Sequence, residues 1–520
     1  MESIVDMVAI VAISVVGAAL ARRLGFIAPL VLLVGGLVLS FVPGLPEIHI
    51  RPELVLIGIL PPLLYVAALQ TSVPAFKRWL RPILLLAVGL VVLTAFAVGT
   101  VVHLLVPAIP YAACLALGAI VAPPDAVSAT AIARRIGLPR RVVTILEGES
   151  LLNDATALVL VRVATGALMG TAAGFWEIGG QVVLKAGGGV LLGWLAAIGA
   201  AWLHRKIEDP LLDDAVSLLT PFVVVIVAEE LRTSSVVAVV VTGLYLGHRI
   251  PYLLSATSRL QMDAVWRLIT FLLEGVVFLL VGLQLRHLVT GIRSDVGTTV
   301  ELTAGVLLTL VIVRFGWVFL ARLTPRIRGR EERPPIAVPT VIAWAGMRGV
   351  VTLAAALTLP ETATVGTGDY DKDLFIFVAF AIIVLTLLIH GTTLPMLANR
   401  LGVKEDTTTK DALAEASVQH AASRAALQAL DEHADGAPQS VIDRLRALTD
   451  NRANGAWERL GSQEQETPSA AYNRLRREMI TAERHVFKIA RNEGRIPEEV
   501  LTQAQRELDL EESQLHRSDD

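Results

Sequence analysis

The sequence contains a single cysteine and few charged residues for its length. Cys114 stands alone among 520 residues, which excludes an intrachain disulfide. Charged residues make up 18% of the chain, whereas they make up about a quarter of a soluble domain. Hydrophobic residues reach 54%, and the mean hydropathy is +0.62. These values exclude an ordinary soluble protein and predict an integral membrane protein.

The apolar runs have the length of membrane-spanning helices. All but one of them measure roughly 17 to 27 residues, which suits a hydrocarbon core about 30 Å thick, and they lack the alternation of barrel strands. Met1 to Asp6 carries no basic residue, so the first run is predicted to be a true span rather than a cleaved signal peptide. The thirteen predicted spans are 3–21, 25–42, 53–70, 82–106, 110–133, 143–169, 178–203, 214–230, 233–247, 265–285, 301–321, 336–359 and 373–397.

Basic residues are distributed unequally between the two sets of loops. Every second loop, beginning at Arg22, holds 19 Lys and Arg in total, and the intervening loops hold 5. Because basic loops stay in the cytoplasm, we expect the amino terminus outside and the carboxyl terminus inside a plasma membrane. The basic excess lies at this inner face, so nucleic-acid binding is not indicated.

The composition changes after Arg400. Residues 401–520 hold 16 basic and 23 acidic residues and no run that could span a membrane. We predict a transmembrane domain over 1–400 and a soluble, helical cytoplasmic tail over 401–520, with turns at Asp435–Pro438 and Glu466–Pro468. The tail is either a solvated appendage or a regulatory or dimer-stabilising element.

Six polar groups on five spans are predicted near the middle of the membrane. An ionisable side chain at the bilayer centre costs about 2.5–3.5 kcal/mol on insertion scales, so each is a candidate functional residue. His103, Lys185 and His390 lie nearer span ends, where snorkelling or packing at a helix interface is the simpler interpretation. The six candidates are Asp125, Asn153, Asp154, Glu274, Arg314 and Arg348.

The stretch Glu149-Ser150-Leu151-Leu152-Asn153-Asp154 places its two carboxylates on different faces of one helix. Residues four apart share a face, so Ser150 stacks with Asp154, whereas Glu149 and Asp154 lie about 140° apart. One carboxylate is predicted to pair with a buried arginine, either Arg314 or Arg348. The other, with a hydroxyl one turn away, is predicted to bind a small cation such as Na⁺ at Asp154 and Ser150.

Two spans are predicted to be broken at this depth. Ala122-Pro123-Pro124-Asp125 removes two backbone donors from the fifth span and leaves carbonyl groups free as ligands, and two glycines flank Arg348 in the twelfth. Spans 1–6 and 8–13 form two halves in which these breaks correspond. Paired broken helices in inverted halves are typical of a secondary transporter. The predicted fold is therefore all-α and polytopic, with two inverted six-helix repeats and crossed broken helices.

These motifs together resemble the sodium/proton exchangers of the monovalent cation/proton antiporter family, in the branch whose sixth span carries Asn-Asp. The resemblance rests on Glu149 to Asp154, on the preceding Pro-Pro-Asp and on the late Gly-Met-Arg-Gly, and it covers about residues 1–400. It implies one-for-one exchange of a cation for a proton by a homodimer, with roles in pH and sodium homeostasis.

The resemblance also implies roles for individual residues. Asp154 carries the ion or the proton, and Ser150 helps to coordinate the ion. Asp125 supports the broken helix and the site, and Glu149 pairs with a basic residue of the eleventh span, where Arg314 stands. Pro124 and Asn153 complete the candidate ion-binding set.

One position departs from many relatives. They carry a third-span glutamate in Phe-Glu-Ala, whereas this chain has Tyr65-Val66-Ala67. The site therefore has one acidic group fewer than theirs. Glu274 is a candidate to compensate, and packing against a polar neighbour in the tenth span is the alternative.

The predicted mechanism is competition. Burial and the charge of Asp125 both disfavour ionised Asp154, so proton and cation compete for one carboxylate. The cation is Na⁺, Li⁺ or K⁺, and we expect no cofactor. A sodium-coupled symporter of a small organic anion and a channel are the alternatives. A hydrolase is not indicated, because the sequence has no His/Glu zinc motif and no Gly-Xaa-Ser-Xaa-Gly, so we expect a transporter and not an enzyme.

Overall fold

The structure is a computed structural model. It describes residues 2–42, 52–170, 175–291, 294–323, 335–360, 371–403, 407–434, 436–458, 467–493, 495 and 497–517. Arg51, Arg293 and the arginines at 326–333, which contribute to the loop charge count, lie outside the described residues. The chain divides into a unit Met1–Lys404 and a unit Glu405–Asp520, where the sequence places the boundary at residue 400.

The first unit is built of helices, and no strand occurs in the part of the chain that the structure describes. Two of the helices contain a π-helical stretch, at Leu54–Ile59 and Leu85–Leu90. The helices are α1 Glu2–Leu24, α2 Ala28–Leu39, α3 Leu54–Gln70, α4 Val73–Arg78, α5 Leu80–Leu105, α6 Tyr111–Val121, α7 Ala126–Arg135, α8 Arg140–Leu168, α9 Phe175–His204, α10 Pro210–Glu230, α11 Ser235–Leu253, α12 Ala256–Leu283, α13 Leu285–Gly291, α14 Val296–Leu323, α15 Ala337–Trp344, α16 Val350–Leu357 and α17 Lys372–Arg400.

Every predicted span contains a helix or a pair of shorter helices. Within the described residues, eight helices are long and apolar enough to cross a membrane. Shorter apolar helices occupy three further segments, α2, α3 and α6. The protein is thus a multi-pass, all-helical membrane protein as predicted. The number of thirteen crossings and the inverted repeat stay predictions.

Two predicted spans are each divided into two helices at the positions that proline and glycine indicate. The segment between α6 and α7 holds Pro123 and Pro124, which lack backbone donors and cannot continue a helix. The segment between α15 and α16 runs from Ala345 to Gly349. Each break leaves a helix C-terminus and a helix N-terminus inside the protein, and these ends need polar partners.

Helices α2 and α12 pack closely because Gly36 of one faces Gly282 of the other. A Cβ placed on Gly36 of α2 would meet the carbonyl oxygen of Leu279, and one on Gly282 of α12 would meet that of Leu33. Small residues at such crossings let helix backbones approach in a membrane protein. The close contact fixes α12 beside α2 and so positions one wall of the site described below.

The described part of the second unit contains four helices. Thr467 caps the third of them by accepting a hydrogen bond from Ala470 N at 3.2 Å, and Arg476 forms a bidentate pair with Glu511 at 2.6 and 2.7 Å. Two predicted turn residues, Asp435 and Glu466, lie outside the described residues. The helices are α18 Thr407–His433, α19 Gln439–Glu458, α20 Pro468–Asn492 and α21 Glu498–Arg517.

Candidate functional site

The two breaks touch each other. The backbone N–H of Asp125 donates to the carbonyl of Met347 at 2.7 Å, which joins the first break to the second. Gly349 lies against the Asp125 side chain, and a Cβ at Gly349 would stand 2.6 Å from the Cβ of Asp125. Glycine at 349 is therefore required for the two segments to cross.

Arg348 binds the ends of the helices that stop at the crossing. Its Nε donates to the carbonyl of Val121, the last residue of α6, at 2.7 Å, and its Nη1 donates to that of Gly346 at 2.6 Å. A helix C-terminus carries partial negative charge, so a cation there is favourable. The side chain is 3% exposed, and its backbone N–H donates to Thr386 Oγ1 at 3.1 Å. Arg348 thus stabilises broken helices and does not pair with Glu149.

Asp125 stabilises the opposite kind of helix end. Its Oδ2 accepts hydrogen bonds from the backbone N–H of Ser128 at 3.2 Å and from the Ser128 hydroxyl at 2.9 Å. A carboxylate that accepts from the first turn of a helix caps its N-terminus, here that of α7. The first break therefore contributes the acidic Asp125 to the crossing, and the second contributes the basic Arg348.

Asn153 anchors α8 to the crossing. Its Nδ2 donates to the carbonyl of Pro124 at 2.7 Å, and the side chain is fully buried. Its Oδ1 is buried and has no hydrogen-bond partner among the described residues. The bond uses a carbonyl that the break leaves free, and it fixes the next residue, Asp154, beside the crossing.

Asp154 borders a cavity. Its side chain is 6% exposed, and its carboxylate makes no hydrogen bond or ion pair with a residue that the structure describes. The cavity measures about 410 Å³, and Ser150, Asp125 and Glu274 also border it. Ser150 and Asp154 lie one helical turn apart, as the sequence indicates. An unpaired carboxylate, a hydroxyl and two further carboxylates thus face one space.

Glu149 points elsewhere and is neutralised. Arg314 Nη1 donates to its Oε1 at 2.6 Å and Nη2 to its Oε2 at 3.0 Å. Arg314 also donates to the carbonyls of Ala343 at 3.1 Å and Ile342 at 3.2 Å, which belong to α15. The pair is buried, with the two side chains 1% and 4% exposed. Of the two arginines that the sequence left open as partners, Arg314 is the one in contact.

His390 packs at a helix interface, as the sequence indicates, and lies close to the site. It lies in α17 with its ring centroid 4.6 Å from that of Trp344, and its Nδ1 is buried without a hydrogen-bond partner in the described chain. Together with Thr386 it borders a small void beside Arg314 and Arg348. Thr386 and His390 are four residues apart on one face, and this polar pair in an apolar span was the signal available.

Comparison with known proteins identifies the family. The protein-family model described as "Sodium/hydrogen exchanger, transmembrane" matches residues 10–400 of this chain. A protein of Mycobacterium tuberculosis named as an uncharacterized Na⁺/H⁺ exchanger is 34% identical over 528 residues, covering 98% of this chain and 96% of that protein. A sodium, potassium, lithium and rubidium/H⁺ antiporter of Bacillus pumilus is 32% identical over 380 residues, covering 70% of this chain and 56% of that protein.

The fold is also similar to that of a solved structure. The sodium proton antiporter of Methanocaldococcus jannaschii at pH 8 matches with a TM-score of 0.62 and 19% identity over 77% of this chain and 99% of that chain. This likeness is one of fold. The alternative of a symporter finds no support among these relatives. The family model matches residues 10–400, and the Mycobacterium tuberculosis relative matches 98% of this chain. Together they show that the chain belongs to the sodium/hydrogen exchanger family.

Proposed function

We propose that the protein is a secondary active transporter that exchanges monovalent cations for protons. The observation that carries this proposal is the position of Asp154, a buried carboxylate that has no partner among the described residues and borders a cavity at the crossing of two broken helices. An unpaired intramembrane carboxylate is costly unless a ligand neutralises it. A cation and a proton are the two ligands that neutralise it.

Competition between these ligands produces exchange. The site changes its access from one side of the membrane to the other only when a cation or a proton neutralises Asp154. The ionised and empty form would expose a buried charge during this change. Loading with a cation on one side and with a proton on the other yields one-for-one, electroneutral exchange. Excess acid then inhibits transport, because protons fill the site.

The residues around Asp154 suit a hard cation such as Na⁺. Such cations take several oxygen ligands, and Asp154, Ser150 and Asp125 bring carboxylate and hydroxyl oxygens to one cavity. Glu149 and Arg314 have a supporting role, since their pair holds α8 against α14 and α15. The broader cation range in the name of the Bacillus pumilus relative supports testing Li⁺ and K⁺ as well.

We further propose that the cavity opens toward the cytoplasm. Arg22 and Arg134 border it and belong to the loops that the charge distribution assigns to the cytoplasm, and Arg267, at the start of the predicted span 265–285, is counted with the same side. The transporter is then placed in the plasma membrane with its tail inside, where it regulates pH and sodium. The family resemblance supports a homodimer.

Purified protein in liposomes with an imposed pH gradient tests the proposal. We expect chloride salts of Na⁺, Li⁺ or K⁺ to dissipate the gradient, as reported by an internal fluorescent proton indicator. Choline chloride is the control for osmotic and anion effects and should leave the gradient intact. A rate that changes with an imposed membrane voltage would contradict electroneutral exchange, and failure of every cation in folded protein would exclude exchange.

A further inference from the structure

The cavity beside Asp154 has two walls with the same arrangement of side chains. On each wall a charged residue is followed three residues later by a hydroxyl and four residues after that by a carboxylate. Residues at this spacing share a helix face and extend over about 10 Å. The carboxylates therefore lie at matching distances from the charged residues. The two series are Glu147, Ser150 and Asp154 on α8 and Arg267, Thr270 and Glu274 on α12, and all six border the cavity.

The charged residues at the outer end of both series already have partners. Arg134 Nη2 donates to Glu147 Oε1 at 2.6 Å, and Arg267 Nη2 lies 3.1 Å from Asp263 Oδ2. The third basic residue that borders the cavity, Arg22, stacks over the ring of Phe271. These basic groups are engaged at the outer end, so they do not neutralise the deeper carboxylates.

The deeper carboxylates both lack such partners. Glu274 is half-buried and, like Asp154, makes no hydrogen bond or ion pair with any residue that the structure describes. Asp125 borders the same cavity as both. Three carboxylates that share one cavity favour a cation among them, because a cation offsets their like charges.

Thr270 supplies the matching hydroxyl. Its Oγ1 is buried and has no hydrogen-bond partner within the described chain, although buried polar atoms almost always have one. It lies one helical turn from Glu274, as Ser150 lies one turn from Asp154. A hydroxyl and a carboxylate on adjacent turns are oxygen ligands of the kind that a hard monovalent cation takes.

We propose that Thr270 and Glu274 form a second cation-binding pair, which holds the monovalent cation in the cavity before it passes to Asp154. This inference rests on the proposed exchange function. Asp154 and not Glu274 is the carrier, because Asp154 follows Asn153, which is bonded to the broken segment. The pair therefore sets the apparent affinity for the cation, and Asp154 sets whether exchange occurs.

Transport kinetics in liposomes test this division of roles. We expect Glu274→Gln to raise the KM for Na⁺ at least five-fold with a maximal rate within two-fold of the parent protein. Thr270→Val, which keeps the side-chain volume, should raise the KM by a smaller factor, and Glu274→Asp should restore most of the affinity. Glu301→Gln is the matched control, because Glu301 is exposed on α14 and does not border the cavity.

A KM unchanged in Glu274→Gln would overturn the proposal. Loss of the maximal rate at unchanged KM would also overturn it, since Glu274 would then act as a carrier. If Glu274→Gln does not fold, Thr270→Val decides, and an unchanged KM there overturns the pair.

The increase in melting temperature on adding NaCl provides a second readout. It should be present in the parent protein and reduced in Glu274→Gln, and an equal increase in both would overturn the pair. If the parent protein exchanges no cation, the proposed function fails, and this binding readout still decides on the pair.

Discussion

At the residue scale, one short stretch of α8 holds two carboxylates with opposite surroundings. Glu149 meets Arg314 in a buried bidentate pair, whereas Asp154 faces a cavity. Helical geometry predicted that they diverge, because five residues turn a helix by about 140°. It could not decide between Arg314 and Arg348, since depth in the membrane is readable from the sequence and rotation about a neighbouring helix is not.

Replacing Asp154 by Asn should abolish exchange. The amide keeps the shape of the side chain but cannot bind a proton in place of a cation, so the alternation between the two ligands ends. Liposome assays with Na⁺, Li⁺ and K⁺ should show gradient dissipation below one hundredth of the parent rate, with unchanged yield and elution on size exclusion. Asp450→Asn, an exposed substitution in the tail, serves as the control and should transport normally. Substantial exchange by the Asp154 variant would remove this residue from the carrier role.

Replacing Arg314 by Ala should destabilise the protein by about 3–5 kcal/mol, because it leaves Glu149 as an unpaired buried charge. Thermal unfolding in detergent measures the loss. The double variant Glu149→Leu with Arg314→Met should recover most of the stability, since apolar residues of similar volume commonly replace a buried pair without loss. An Arg314→Ala protein as stable as the parent would show that the pair has no structural role.

At the scale of the elements, the broken helices were predictable and their compensation was not. Pro123 and Pro124 mark one break and the glycines around Arg348 mark the other. The bonds from Arg348 to the end of α6 and from the Asp125 backbone N–H to the Met347 carbonyl depend on the crossing itself. Such bonds follow from tertiary contact, which local propensity does not encode.

The close contact of α2 and α12 supplies a matched pair of substitutions. Gly36→Ala should lower stability by about 1–3 kcal/mol, because its Cβ would meet the backbone of α12 and force the helices apart. Gly35→Ala should be neutral or slightly stabilising, because nothing lies within 4 Å of a Cβ there and alanine favours a helix. Melting temperatures in one detergent compare the two, and equal values would contradict the contact.

At the scale of the whole molecule, charge in the loops predicts the orientation. Thirteen spans, an odd number, place the two termini on opposite sides of the membrane. The loops with 19 basic residues are assigned to the cytoplasm, and this puts the carboxyl terminus inside. Fusions in a bacterial host test this orientation. Green fluorescent protein fused after Asp520 should fluoresce, and alkaline phosphatase there should be inactive. Truncation fusions at Arg232 should give the reverse pattern, and activity of both phosphatase fusions would refute the assignment.

The measurement that tests the central claim most directly is the dependence of exchange on Na⁺ concentration at several pH values in liposomes. If proton and cation compete for Asp154, lowering the pH on the Na⁺ side should raise the KM for Na⁺ and leave the maximal rate unchanged. A maximal rate that falls with pH while the KM stays constant would show that protons act at a separate site, and it would contradict competition at Asp154.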